Sequence, residues 1–283
     1  LFFLPARCAI VPEIVSRQGL LKANSLLSVG ATIATIAGFG AGGLIASRLG
    51  WKFALYLDSA SYLMSAFLLT LITTTPVPRQ PAEHRSYMQS VRRALTELTA
   101  NVNLRIGVAA PPLLVAAATV AYVIGVPMIE RSTQSGTMLI GFLISLAGIG
   151  MALGCYITGR LPHSTSRFAI VAVGMISGVA LLGFISLMRS VLLLGIGITL
   201  AGFAAGPVFV GSETMIQETA HKYRQATVFA FRDAVMKGSS AIAAVIAGLA
   251  AAHLGRAKAL PILLFVFLLA ACLSILYEKT SRD

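Results

Sequence analysis

Eight runs of apolar residues, each about 20 long, dominate the sequence, at positions 23–47, 53–74, 106–128, 137–159, 168–188, 191–215, 227–253 and 259–277. A helix of that length rises about 30 Å, which matches the hydrocarbon thickness of a bilayer. Only 11% of the 283 residues are charged and 57% are hydrophobic. A soluble domain carries about 25% charged residues, so this chain lacks the polar surface to coat a water-facing globule. The chain reads as an all-α, multi-pass membrane protein.

Net charge is +12, but the cations sit in short segments between apolar runs, where they set topology and do not form a nucleic-acid face. Of the 22 Lys and Arg, six (Arg48, Lys52, Arg131, Arg189, Arg256 and Lys258) lie in one set of connections and Lys237 lies inside a run. The other fifteen lie in the alternate set, which the positive-inside rule puts in the cytoplasm. Both ends of the chain are then expected on the cytoplasmic side of a cell membrane. The longest hydrophilic stretch, 75–105, opens with Pro76, Pro78 and Pro81 and closes on Arg92, Arg93, Leu95 and Leu98. It reads as a linker plus a basic amphipathic helix lying on membrane lipid. Pro5 to Lys22 reads as a polar-punctuated connector, with residues 1–4 the end of a further helix.

An internal repeat organises these runs. A shift of 205 residues carries Glu13 onto Glu218 and Arg17 onto Lys222. It also carries Gly43-Leu44-x-Ala46-x-x-Leu49-Gly50 onto Gly248-Leu249-x-Ala251-x-x-Leu254-Gly255. Six runs separate the copies, so they share one orientation, as in parallel repeats related by an axis along the membrane normal. Runs three to five have no upstream counterpart. Repeat logic therefore expects a protein of six plus six helices, with on the order of a hundred residues preceding this chain.

The phrases Leu4-Pro5-Ala6-Arg7-x-Ala9-x-x-Pro12-Glu13, Leu21-x-Ala23-Asn24-Ser25-Leu26, Ala37-Gly38-x-x-x-Gly42-Gly43 and Leu57-Asp58-x-Ala60-Ser61-Tyr62 are similar to helices four to six of the major facilitator superfamily, in the efflux branch related to enterobactin exporters. Gln217-Glu218 followed by Arg224 resembles that branch's loop between helices ten and eleven. Phe39 stands where many antiporters have Pro, and Gln225-Ala226 replaces a common Gly-Arg pair. The resemblance implies a major facilitator-type bundle with eight complete transmembrane helices, equivalent to helices 5–12, plus the end of a fourth. Residues 1–74 would be the remainder of the first half, 75–105 the linker and 106–283 the second half. It further implies a secondary exporter of small amphipathic, siderophore-like or drug-like solutes, working by alternating access against protons. A lysophospholipid flippase, an uptake carrier and a non-transporting scaffold are the alternatives.

Charged residues within apolar runs cost about 2.5–3.5 kcal/mol at a helix centre unless paired or hydrated, so they mark candidate sites. Lys237 lies near the middle of its run, with Asp233 one turn before and Ser240 one turn after. At the shifted position stand Asn24, Ser28 and Thr32. These two stripes are expected to line a central cavity. The alternative for Lys237 is a self-neutralised pair with Asp233 against a neighbouring helix. Asp58 and Glu213 are the candidates for a coupling proton. Gly38-x-x-x-Gly42-Gly43 and Gly150-x-x-x-Gly154 put small residues on helix faces, which suits either a sliding interface between the halves or ordinary close packing. Glu13, Arg17, Glu218, Lys222 and Arg224 are expected to form a charge network on the cytoplasmic side. No phosphate loop, hydrolase motif or metal-spaced cluster is present in the sequence, so no enzyme activity, cofactor or metal is expected. The expected partners are a small solute, a proton and lipid.

Overall fold

The computed structural model describes residues 3–71, 96, 98, 100–132, 136–188, 190–221 and 224–280. Among these, nine α-helices follow one another: α1 (Phe3–Ile14), α2 (Leu20–Leu49), α3 (Trp51–Thr70), α4 (Val102–Ser132), α5 (Gly136–Gly159), α6 (Arg167–Ile185), α7 (Val191–Thr219), α8 (Gln225–Leu254) and α9 (Arg256–Thr280). The helices α2 to α9 contain segments long and apolar enough to cross a membrane, matching the eight apolar runs. In hydrocarbon every backbone polar group must be paired within the chain, and a helix achieves that locally.

The segment expected as a connector from Pro5 is instead helical to Ile14, with Pro12 inside α1. A short 3-10 turn, Arg17–Gly19, then leads into α2. The proposed linker helix lies largely outside the described residues. Leu98 is buried in a cluster with Cys8, Leu104, Ile216 and Phe229.

The repeat seen in sequence is reproduced by the element boundaries. Adding 205 to the ends of α2, Leu20 and Leu49, gives Gln225 and Leu254, the ends of α8. The same shift carries Ile14, where α1 stops, onto Thr219, where α7 stops. Both hairpins turn on one glycine with a positive φ, Gly50 at 83° and Gly255 at 76°. A side chain in that left-handed region is strained, so both tight turns select glycine.

Helices α4, α6, α7, α8 and α9 pack round an apolar core that includes Leu114, Val120, Ile124, Val171, Val179, Val208, Ala247 and Leu264. The closest approach is between α5 and α7. A Cβ on Gly150 would strike the carbonyl of Thr199, and one on Gly154 the carbonyl of Phe203. Across the contact, a Cβ on Gly202 would strike the Ala147 carbonyl. Pro207 has no N–H to offer Phe203 four residues earlier, so that freed carbonyl is where the Gly154 backbone comes nearest. The helix α2 packs on α5, and α3, which has no buried residue, packs on α2.

Gly154→Ala is therefore expected to cost about 1–3 kcal/mol of stability by overpacking. Gly38→Ala, whose Cβ would meet nothing within 4 Å, is expected to leave stability unchanged. Thermal unfolding of the two variants in one detergent checks the contrast.

Candidate functional site: a cavity above a polar seam

Pro12 determines what happens at one end of the bundle. It lacks an N–H, so the carbonyl of Cys8, four residues earlier in α1, loses its helical donor. Gln217 of α7 supplies one, its Nε2 donating to Cys8 O at 2.8 Å. The Oε1 of the same amide accepts from Asn24 Nδ2 of α2 at 2.6 Å, and Asn24 Nδ2 also reaches Thr214 Oγ1 at 3.0 Å. Gln225, at the start of α8, donates from Nε2 to the Gln217 carbonyl at 3.0 Å. Asn24, Thr214, Gln217 and Gln225 are all buried. One side-chain chain thus joins α1, α2, α7 and α8.

Beside it lies a buried ion pair. Arg232 Nη2 is 3.6 Å from Glu213 Oε1, with the two side chains only 7% and 9% exposed. The guanidinium also stacks 5.0 Å from the Phe229 ring centroid. Cys8 Sγ points at Glu213 Oε1 from 4.0 Å, and these two residues are themselves 205 apart. The seam thus brings together two positions that the 205-residue shift makes equivalent. On the outer edge of the same end, Arg17 Nη2 donates to the Glu218 carbonyl at 3.0 Å. Arg167 Nε sits 3.4 Å from Glu218 Oε1.

Next to the seam opens a cavity of about 920 Å³ between α2, α4, α5, α6 and α7. Its walls are mostly apolar, including Ile36, Leu114, Ile144, Leu182, Ile198 and Phe209, with hydroxyls from Ser28, Thr32, Thr35 and Ser145. Arg7 and Glu213 are its charged lining residues among those described.

The sequence-derived candidates therefore separate. Ser28, Thr32 and Glu213 line the cavity, while Asn24 is in the seam. Lys237 and Asp233 form an ion pair at 3.7 Å, with the lysine side chain 60% exposed. They do not line this cavity, because α8 buries the stripe through Phe229, Arg232, Ala243 and Ala247, about 100° round the helix. Ser240 hydrogen-bonds Thr119 of α4 at 2.8 Å. Asp58 is on the exposed α3. Arg17 and Glu218 meet, Glu13 and Arg224 each have a partner, and Lys222 lies outside the described residues. Gly150 and Gly154 pack on α7, and a Cβ on Gly38 would meet nothing within 4 Å among the described residues; Gly42 and Gly43 lie in α2 where only the backbone is described. The contact between α2 and α5 runs instead through Gly148, against Ile36, and through Ser25 Oγ, which donates to the Cys155 carbonyl at 2.6 Å.

Sequence reasoning missed Gln217, Thr214, Arg167 and Gly148. Gln217 was legible in principle, as the amide at the position equivalent to Pro12. Arg167 was counted only as a topology charge.

The helical bundle thus has a buried polar seam at one end and a large, mainly apolar cavity beside it. Residues 1–244 match the profile of the Major Facilitator Superfamily, and the chain belongs to that family. It is similar to the protein named enterobactin exporter EntS of Shigella boydii serotype 18 (strain CDC 3083-94 / BS512), at 24% identity over 215 residues, 75% of this chain and 50% of the relative. The same figures hold for EntS of Escherichia coli O81 (strain ED1a). The chain spans about half the length of the curated relatives it matches.

Asn24→Ala would leave Gln217 Oε1 without its donor and is expected to cost about 1–2 kcal/mol. It should also open the seam. With Cys155 and Cys272 replaced by Ser, the buried Cys8 should react faster with a membrane-permeant maleimide in Asn24→Ala than in the parent. Equal rates would contradict the seam's role as a closure.

Proposed function

We propose that this protein works in a secondary active exporter of small amphipathic solutes, of the siderophore-like or drug-like kind, by alternating access coupled to protons. The seam carries this reading. It is polar, buried and spans repeat-related segments, while the cavity beside it is large and mainly apolar. Such a seam can come apart, because its side-chain hydrogen bonds exchange for water at modest net cost. Interlocked apolar packing of the α5 and α7 kind cannot separate so cheaply. The positive-inside rule puts the seam at the cytoplasmic end, so the arrangement described here is the one closed to the cytoplasm. The name carried by the relatives supports export, and the lack of a nucleotide-binding motif in this sequence supports an ion gradient as the energy source.

In this reading Glu213 is the proton carrier. It touches Cys8, its equivalent under the 205-residue shift, lines the cavity and is held by Arg232. Protonation would neutralise it, weaken its hold on Arg232 and loosen the seam from within. Asp58 is the second candidate but stands on α3, away from the cavity. The Arg17, Glu218 and Arg167 cluster closes the rim. This rim is one partly buried ion pair and one hydrogen bond to a backbone carbonyl, so it biases the equilibrium while the larger buried seam sets it.

Efflux from cells or proteoliposomes under an imposed pH gradient, across a panel of siderophores and amphipathic drugs, tests the proposal. The parent should move at least one compound, and Glu213→Gln should reduce gradient-driven efflux to background while inserting normally. Asp58→Asn should retain it. No flux for any compound, or full coupling in Glu213→Gln, would reject this assignment.

A further inference from the structure

The charges at the cavity floor do not balance. Arg7 and Arg232 bring two guanidiniums to the neighbourhood of Cys8, and Glu213 is the carboxylate there among the described residues. Asp233, next to Arg232 in sequence, is already paired with Lys237. The donors are unbalanced too. Arg7 Nε and both Nε and Nη1 of Arg232 are buried without a hydrogen-bond partner among the described residues. Arg232 has Glu213 as its counter-charge, whereas Arg7 lines the cavity with a buried, unfilled Nε, and that donor points to an anion that completes the site.

The cavity wall supplies a second constraint. Thr32 Oγ1 donates its proton to Ser28 O at 2.8 Å, Thr35 Oγ1 to Ala31 O at 2.8 Å and Ser145 Oγ to Gly141 O at 2.9 Å. These hydroxyls line the cavity but have committed their protons to their own helices, so what they retain is acceptor capacity. Apart from Ser28, Arg7 and Glu213, the remainder of the wall is apolar. A ligand that fits has an apolar body, hydroxyl or amide donors along it, and one acidic group at its end.

We infer that the floor is a subsite for the acidic group of an amphipathic organic monoanion, with Arg7 as its anchor. The use of this cavity by a transported solute rests on the carrier reading; the binding preference itself does not. Glu213 lines the same cavity, so its negative charge opposes an anion bound at Arg7. An arginine suits this task because its planar fork matches a carboxylate or sulfonate.

Isothermal titration of the purified chain with three probes of one shape tests this: 6-hydroxy-2-naphthoate, the corresponding amide, and the corresponding aminomethyl cation. The acid should bind at least about tenfold more tightly than the amide, a difference of about 1.4 kcal/mol, with the cation weakest. In Arg7→Gln the acid should fall to the affinity of the amide, and unchanged binding of the amide would show that the cavity is intact. Glu213→Gln, which removes the opposing carboxylate, should bind the acid more tightly than the parent does. Equal affinities of the three probes in the parent would overturn the inference, as would a preference that survives Arg7→Gln. Should Arg7→Gln not fold, the order of the probes in the parent and the change in Glu213→Gln decide the matter. Anion preference without any flux rejects the carrier reading alone, and flux without anion preference rejects the subsite alone.

Discussion

A single missing N–H organises the seam of this protein. Pro12 deprives the Cys8 carbonyl of its donor within a helix, in a setting where a buried backbone acceptor has little other recourse. Gln217 answers from α7, and its own carbonyl oxygen must then be satisfied, which Asn24 does from α2. Each link obliges the next. The consequence is that segments from both copies of the repeat are joined by buried side-chain hydrogen bonds beside a small apolar cluster that includes Cys8, Ile216 and Phe229. A contact of that kind holds its geometry firmly and yet can be exchanged for water when the region hydrates.

The contrast with the interface between α5 and α7 explains how one molecule can be rigid in one place and divisible in another. There, Gly150, Gly154 and Gly202 bring backbone against backbone, and no side chain can rotate away to release it. Those glycines hold α5 against α7. The contact between α2 and α5 is lighter, with Ser25 on the Cys155 carbonyl and Ile36 lying over Gly148. A body that pivots needs a stiff half and a soft boundary, and the small residues contribute mainly to the stiffness.

Much of the fold was legible in the sequence because the bilayer restricts the choices. Eight runs of the right length gave eight helices, and the shift of 205 that related Glu13 to Glu218 also relates the helix ends and the glycine turns at Gly50 and Gly255. The end of α1 was not legible. Pro12 reads as a helix breaker, and the group that compensates for it, Gln217, is contributed from some 200 residues away. Candidate site residues were legible only in part for a similar reason. Helical spacing says that Lys237 and Asp233 share a face, but not which face α8 turns toward its neighbours; that depends on Phe229, Arg232, Ala243 and Ala247. Ser28, Thr32 and Glu213 were identifiable because polar groups in apolar runs are few, and the cavity includes all three. Arg7 reads in the sequence as part of a family phrase and as a connector charge, because an arginine near a helix end is ordinarily a topology signal.

Alternating access at this end requires the seam to be one position of a two-position element. Spin labels at Ser16, between α1 and α2, and Ser164, between α5 and α6, would straddle it from the two copies of the repeat. Double electron–electron resonance in proteoliposomes, with the native cysteines replaced, should give two distance populations whose ratio moves when pH or an amphipathic ligand is changed. A single distance, unaltered by either, would mean that the seam is a fixed structural joint and would contradict the account.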